Sequence, residues 1–182
     1  MSIFKSLQPD LVLGSTIFDL TPQILSEHEI EGLILDVDET LVPFKQRETS
    51  VELQQWIAEI SQNTPIWLVS NNISQARISD IAKSVDLPFI FAARKPSRRK
   101  LRQAARAMNL SVEQVAMVGD RLFTDVLAGN RLGMFTILVE PMVDPLTSVR
   151  SNPIRDFEIW FSELIGISLA ISHNNVTNNN NS

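Results

Sequence analysis

Residues 32–42 read GLILDVDETLV, and the meaning of that stretch decides the fold. Leu33, Ile34 and Leu35 make an apolar run of strand length. Asp36, Val37, Asp38, Glu39 and Thr40 then place three carboxylates and a hydroxyl where that strand ends. Crowded carboxylates repel one another and lose hydration, so packing alone does not keep them together. A divalent cation resolves the conflict. Mg²⁺ takes hard oxygen ligands, usually one or two carboxylates plus phosphate oxygens of a substrate. An apolar strand running into DxDxT therefore points to phosphoryl transfer. DxD alone also fits a polar turn after a buried strand, because Asp is a common turn residue. The rest of the chain has to decide.

Composition narrows the field. The 182 residues fit one domain over residues 1–172, large enough for a substantial core. Residues 173–182 hold six Asn in ten and are expected to be a disordered tail. The absence of Cys excludes disulfides, zinc thiolate sites and thiol catalysis. His28 and His173 stand far apart, which argues against a His-centred triad or a His metal cluster. No apolar run approaches the ~20 residues of a membrane-spanning helix. The segment MSIFKSLQPDLVLGS lacks the pattern of a signal peptide, so a cytoplasmic protein is expected.

The net charge of −5 hides an asymmetry. Arg94, Lys95, Arg98, Arg99, Lys100, Arg102 and Arg106 put seven positive charges into 13 residues with no acid among them. The rest of the chain carries nine basic against 21 acidic residues. Such segregation suggests a face built for an anionic partner; a solvated basic helix face is the plainer alternative.

Along the chain, Thr21-Pro22 reads as an N-cap with Pro at the first helical position, opening a helix near 22–27. Leu33–Val37 is a strand. Thr49 and Glu52 have capping-box spacing and open a helix whose apolar face is Leu53, Trp56, Ile57 and Ile60. Pro65–Val69 is a second strand, followed by a helix near 74–84 and a strand Pro88–Phe91. Ser97 is expected to cap a helix running to Met108, with Leu101, Ala104, Ala105 and Met108 inward and Arg98, Arg102 and Arg106 outward. Val115–Val118 is a strand, 123–131 a helix closed by Gly133, and Phe135–Val139 a fifth strand. Residues 1–20 give no period. Apolar strands alternating with helices predict an α/β, three-layer Rossmann-like fold with a mainly parallel sheet of about five strands. Ligands of such sheets sit beyond the carboxyl ends of the strands.

Pointed chemistry stands at several of those ends: Asp36 and Asp38, then Ser70-Asn71, then Asp120, with Lys95 in the intervening loop. A carboxylate can attack phosphorus, a second can move protons, and hydroxyl and ammonium groups can stabilise phosphoryl oxygens. These segments resemble the motifs of the HAD-like (haloacid dehalogenase) phosphohydrolases. Asp36–Val42 is similar to the first motif, Ser70-Asn71 to the second, Lys95-Pro96 to the third, and Gly119–Asp125, in GDxxxTD form, to the fourth. The resemblance implies Asp36 as nucleophile and metal ligand, and Asp38 as acid/base with its carbonyl on the metal. It implies Ser70, Asn71 and Lys95 on the phosphoryl group and Asp120 on Mg²⁺. Asp125 would orient a metal-bound water or Lys95, and Thr40 would shape the loop. Glu39 departs from the commoner Gly or Asn, and Arg121 from the commoner Gln.

Within that family the chain resembles the subfamily IIIA, YqeG-like branch, whose relatives include phosphatidylglycerophosphate phosphatases. The supporting residues are Leu7–Asp10, Phe18–Pro22 and Asn130–Gly133. The gaps from Asp38 to Ser70 and from Ser70 to Lys95 leave no room for a cap domain. An open site suits a large or surface-bound substrate. The resemblance thus implies a Mg²⁺-dependent phosphatase of an anionic phospholipid, working peripherally at the inner membrane face. Arg98, Arg99, Lys100, Arg102 and Arg106 would meet that surface, and Phe157, Trp160, Phe161 and Leu164 either add an apolar contact or pack on the sheet. A phosphatase of a phosphoprotein, nucleotide or sugar phosphate is the second reading, and a non-catalytic binding module the third. Without a nucleic-acid motif in an acidic chain, no nucleic-acid partner is expected.

Overall fold

Gly32 to Leu35 is buried at every position, which a strand achieves only with a neighbour on each side and cover on both faces. The computed structural model describes residues 5–43, 46 and 48–142. Its strands are β1 (Leu11–Val12), β2 (Gly32–Leu35), β3 (Ile66–Val69), β4 (Phe89–Ile90), β5 (Val115–Gly119) and β6 (Phe135–Leu138). The helices are α1 (Pro22–Glu27), α2 (Val51–Ile60), α3 (Gln75–Ser84), α4 (Arg99–Ala107) and α5 (Leu127–Leu132). All paired strands are parallel, in the order β1-β6-β5-β2-β3-β4.

Side chains of a strand alternate between faces, and here the alternation separates two cores. Leu33 and Leu35 join Leu25, Leu53, Trp56, Ile57, Ile78 and Ile81 from α1, α2 and α3. Ile34 joins Leu101, Ala104, Ala105 and Ala128 from α4 and α5 on the other side. From β2 the chain steps outward to β3 and β4, then returns across the sheet to β5 and β6. That reversal makes the crevice between the carboxyl ends of β2 and β5 the switch point where such sheets bind ligands.

Several boundaries differ from the sequence reading. Ser50, not Thr49, caps α2, its hydroxyl accepting from the Leu53 amide at 3.1 Å. α4 begins at Arg99 without a side-chain cap, so Ser97 does not fill that role, and Met108 is only half-buried. The expected helix over 123–131 is split into a π-turn, Leu122–Val126, and α5, which Gly133 ends in the left-handed region at φ 88°. No inserted domain separates β2 from β4 among the described residues. Phe157, Trp160, Phe161, Leu164 and the Asn-rich tail lie outside the described residues.

The sheet has six strands rather than five. The extra one, β1, is two residues long and carries no alternation to read; its partner supplies what its own sequence lacks. The Asp10 amide donates to the Thr136 carbonyl at 3.0 Å and the Leu13 amide to the Leu138 carbonyl at 2.9 Å. Asp10 Oδ2 accepts from the Thr136 amide at 2.8 Å and lies 2.9 Å from its hydroxyl. Asn130 donates to the carbonyls of Ser6 and Gln8 at 3.0 and 2.7 Å. Thr136 is fully buried, so removing its acceptor strands a polar group without water. Asp10→Ala is expected to lower unfolding free energy by about 1–3 kcal/mol in urea titrations. An unchanged midpoint would show that β1 is held by its backbone alone.

Candidate active site

The segment after β2 folds into a tight loop. The Leu41 and Val42 amides both donate to the Val37 carbonyl, at 3.0 and 3.3 Å, and the Glu39 amide donates to the Val42 carbonyl at 2.8 Å. Closing so short a loop puts Glu39 at φ 65°, a region L-residues with a Cβ rarely adopt. That geometry is a physical reason for Gly or Asn at this position, and Glu39 departs from it at the cost of backbone strain. Thr40 is fully buried and donates to Asp120 Oδ1 at 3.1 Å, tying the loop to the end of β5.

Lys95 occupies the centre. Its Nζ lies 2.6 Å from Asp36 Oδ1 and 2.7 Å from Asp125 Oδ1, with 5% of the residue exposed. The loop carrying it is fastened by Asn71, whose Oδ1 accepts from the Lys95 amide at 2.6 Å while Nδ2 donates to the Lys95 carbonyl at 3.1 Å. Asp125 arrives through the π-turn and presses on Gly119, where any Cβ would collide with its carboxylate. Hence glycine precedes Asp120.

Asp36, Asp120 and Asp125 each offer a carboxylate oxygen within 4.8 Å of the others. One ammonium does not balance three such groups. Burial pushes Asp36 up to about 7; Lys95 opposes this, and Asp125 and Asp38 add to it. Burial likewise pushes Asp120 up to about 8, reinforced by Asp125, Asp36 and Glu39 and opposed by the Thr40 hydrogen bond. For Lys95, burial disfavours the charge, but Asp125 and Asp36 outweigh it and the net shift is upward. Asp125 Oδ1 meets the Lys95 ammonium only as an ion pair, and Oδ2 has no hydrogen-bond partner among the described residues. Hard oxygen donors, excess negative charge and an orphaned buried oxygen together fit a divalent cation.

Asp38 faces the other way. Its Oδ1 is ion-paired with Arg77 Nη1, and its Oδ2 accepts from Ser70 Oγ at 3.3 Å and Asn72 Nδ2 at 3.2 Å. Arg77 also donates from Nε and Nη2 to the Gln46 carbonyl at 3.2 and 3.0 Å. It thereby locks α3, Asp38 and the loop after β2 together. Neither Asn72 nor Arg77 figured among the expected site residues. Arg77 had a signal: it sits four positions before Ile81 on the apolar face of α3, where a lone cation needs a buried partner.

Asp36, Asp120, Asp125 and Lys95 come together at the β2–β5 crevice, while Asp38 meets Ser70 at the end of β3. The side chain of Asn71 is spent on the Lys95 backbone. The basic cluster divides. Arg98, Arg102 and Arg106 are exposed, Arg98 donating to the Arg131 carbonyl at 2.9 Å, while Arg99 and Lys100 line a groove beside β4. Among the described residues, no helix is long and apolar enough to cross a membrane.

The HAD-hydrolase-like family model matches residues 92–154. The chain is 39% identical over 127 residues to the "Probable phosphatase YqeG" of Bacillus subtilis, covering 69% of this chain and 73% of that protein. It is 42% identical over 70 residues to the ribonucleotide monophosphatase NagD of Escherichia coli, a match spanning 38% of this chain and 28% of that enzyme. A crystal structure of an uncharacterized Listeria monocytogenes protein shares the fold, with a TM-score of 0.51 at 15% identity over 75% of this chain and 99% of the other.

The raised carboxylates fix a sign. Between the ordinary 3.8 and the shifted values of about 7 and about 8, the folded protein binds more protons at Asp36 and Asp120 than the unfolded chain. Their contribution is complete at low pH and is lost as pH rises through that window. A bound cation competes with those protons. Mg²⁺ is therefore expected to raise the melting temperature, measured against excess chelator, more at about pH 8 than at about pH 5. An equal shift at both, or no shift, would contradict cation binding at these acids.

Proposed function

This chain belongs to the HAD-like phosphatase family, and from that premise we propose that it hydrolyses the terminal phosphomonoester of phosphatidylglycerophosphate at a membrane surface, with Mg²⁺ as its metal. The observation that carries the chemistry is the buried Lys95 ammonium held between Asp36 and Asp125 at the switch point. Asp36 and Asp120, backed by Asp125, would hold the cation, which would neutralise charge on the phosphate and the carboxylates. The backbone carbonyl of Asp38 would complete the set.

The residues divide the work. An Asp36 carboxylate oxygen attacks phosphorus, forming an aspartyl-phosphate as the bond to the leaving oxygen breaks. Asp38, entering this step in its acid form, gives its proton to the leaving alcohol and becomes a carboxylate. It then takes a proton from the water that attacks phosphorus and frees Asp36. Ser70 and Lys95 face the phosphoryl oxygens, where an ammonium and a hydroxyl oppose developing charge. Asn71 works through Lys95 by holding its backbone. Arg77 and Asn72 set where the Asp38 side chain sits.

The substrate assignment draws on three features. The site is uncapped among the described residues, so a headgroup projecting from a bilayer can reach it. Ile73, next to Asn72 at the rim, is 84% exposed and offers an apolar contact. Arg98, Arg102 and Arg106 project from the neighbouring helix, and each cation near an anionic surface contributes about 1 kcal/mol. The acidic remainder of the chain supports an orientation with α4 toward the membrane.

Purified protein is expected to release phosphate from phosphatidylglycerophosphate faster than from a nucleotide, a sugar phosphate or a phosphopeptide, and to stop when the metal is chelated. Asp36→Asn is expected to abolish release with the fold intact by circular dichroism, and Asp38→Asn to lower it about 100- to 10,000-fold. Wild-type release by Asp36→Asn would remove the nucleophile assignment. Preference for a soluble ester would remove the lipid.

A further inference from the structure

Beside the outer edge of β4 the structure forms a groove of about 680 Å³ between the start of α3 and α4. Phe89 and Phe91 supply aromatic lining, and Arg94, Arg99 and Lys100 supply cationic lining. Among the described residues none of these three cations has a carboxylate partner, since the ion pairs found involve only Arg77 and Lys95. Unneutralised cations beside an apolar surface suit an anion attached to an apolar body. The lining of the groove includes Arg94, the residue that precedes Lys95 in the chain. Lys95 is buried against Asp36, while Arg94, exposed and at φ 57°, lines the groove. Consecutive Cα atoms are about 3.8 Å apart, so the loop that carries Lys95 also carries a cation of the groove.

We propose that this groove binds a phosphodiester carried on an apolar body, the non-reacting part of the substrate. The inference rests on the lipid phosphatase reading above and adds where the second phosphate goes. The diester meets Arg94, Arg99 and Lys100, and the start of the acyl chains lies along Phe89 and Phe91. An extended acidic peptide is a poorer occupant, because β4 offers only a two-residue edge for strand addition. The cluster that reads as one basic patch in sequence thus does two jobs. Arg99 and Lys100 contact the substrate molecule, and Arg102 and Arg106 the surrounding surface.

The probe is dihexanoyl phosphatidylglycerol below its critical micelle concentration, which carries the diester but no monoester and forms no surface. Calorimetry is expected to show saturable binding to the wild type, weakened about tenfold in Arg99→Gln/Lys100→Gln and little changed in Arg102→Gln/Arg106→Gln. Absence of wild-type binding would overturn the proposal. Equal weakening by both pairs would overturn it too, since long-range attraction would then explain the result. Tighter binding of an acidic peptide would replace the occupant. Because the probe is not hydrolysed at a monoester, this outcome is separate from the phosphate-release assay, and either can fail alone.

Discussion

The burial of Lys95 between Asp36 and Asp125 is the constraint from which the rest of the site follows. An unpaired ion in a protein interior costs several kcal/mol, so neither acid could stay ionised there without a neighbouring cation, nor the ammonium stay charged without the acids. Attraction wins for Lys95, whose two partners outweigh its desolvation. It loses for Asp36, where burial and neighbouring acids outweigh a single lysine. The imbalance is left at the strand ends. Much of the surrounding structure serves to keep it there: Asn71 pins the Lys95 backbone, Gly119 makes room for Asp125, and Thr40 ties Asp120 to the loop after β2.

The positions of the acids were legible because parallel topology turns strand ends into neighbours. A reader needs only the order of apolar runs to bring Asp36, Lys95 and Asp120 to one rim. The partners of Asp38 were not legible in that way. Arg77 reaches it from inside α3, across 39 positions of sequence, and nothing local to either residue specifies the other. Its only trace was a cation on an apolar helix face. The cap of α2 was misplaced by one residue because Thr49 and Ser50 compete for the same role and the surrounding fold selects between them, whereas α4 starts without any side-chain cap. The division of the basic cluster was hidden for a related reason. Helical spacing separates inward from outward residues, but only the neighbouring β4 and α3 determine which outward residues line a groove.

β1 shows tertiary context overriding a silent sequence. Two residues have no period, yet Asp10 and Asn130 converge on buried Thr136 and fix the register against β6. Leu7–Asp10 and Asn130–Gly133, two of the three segments in which the sequence resembles the YqeG-like branch, thus include residues that hold the amino-terminal strand. Glu39 is the opposite case. Its left-handed backbone is unfavourable by about 1–2 kcal/mol for a residue with a Cβ, and its charge adds to the pressure on Asp120.

In the proposed mechanism Asp36, at the switch point, takes the phosphoryl group. The most direct measurement is borohydride trapping during turnover, followed by peptide mass spectrometry. An acyl-phosphate at Asp36 is reduced to homoserine, so homoserine is expected at position 36, dependent on both substrate and Mg²⁺. Steady phosphate release with an unmodified Asp36, or homoserine formed at Asp38 or Asp120 instead, would contradict it.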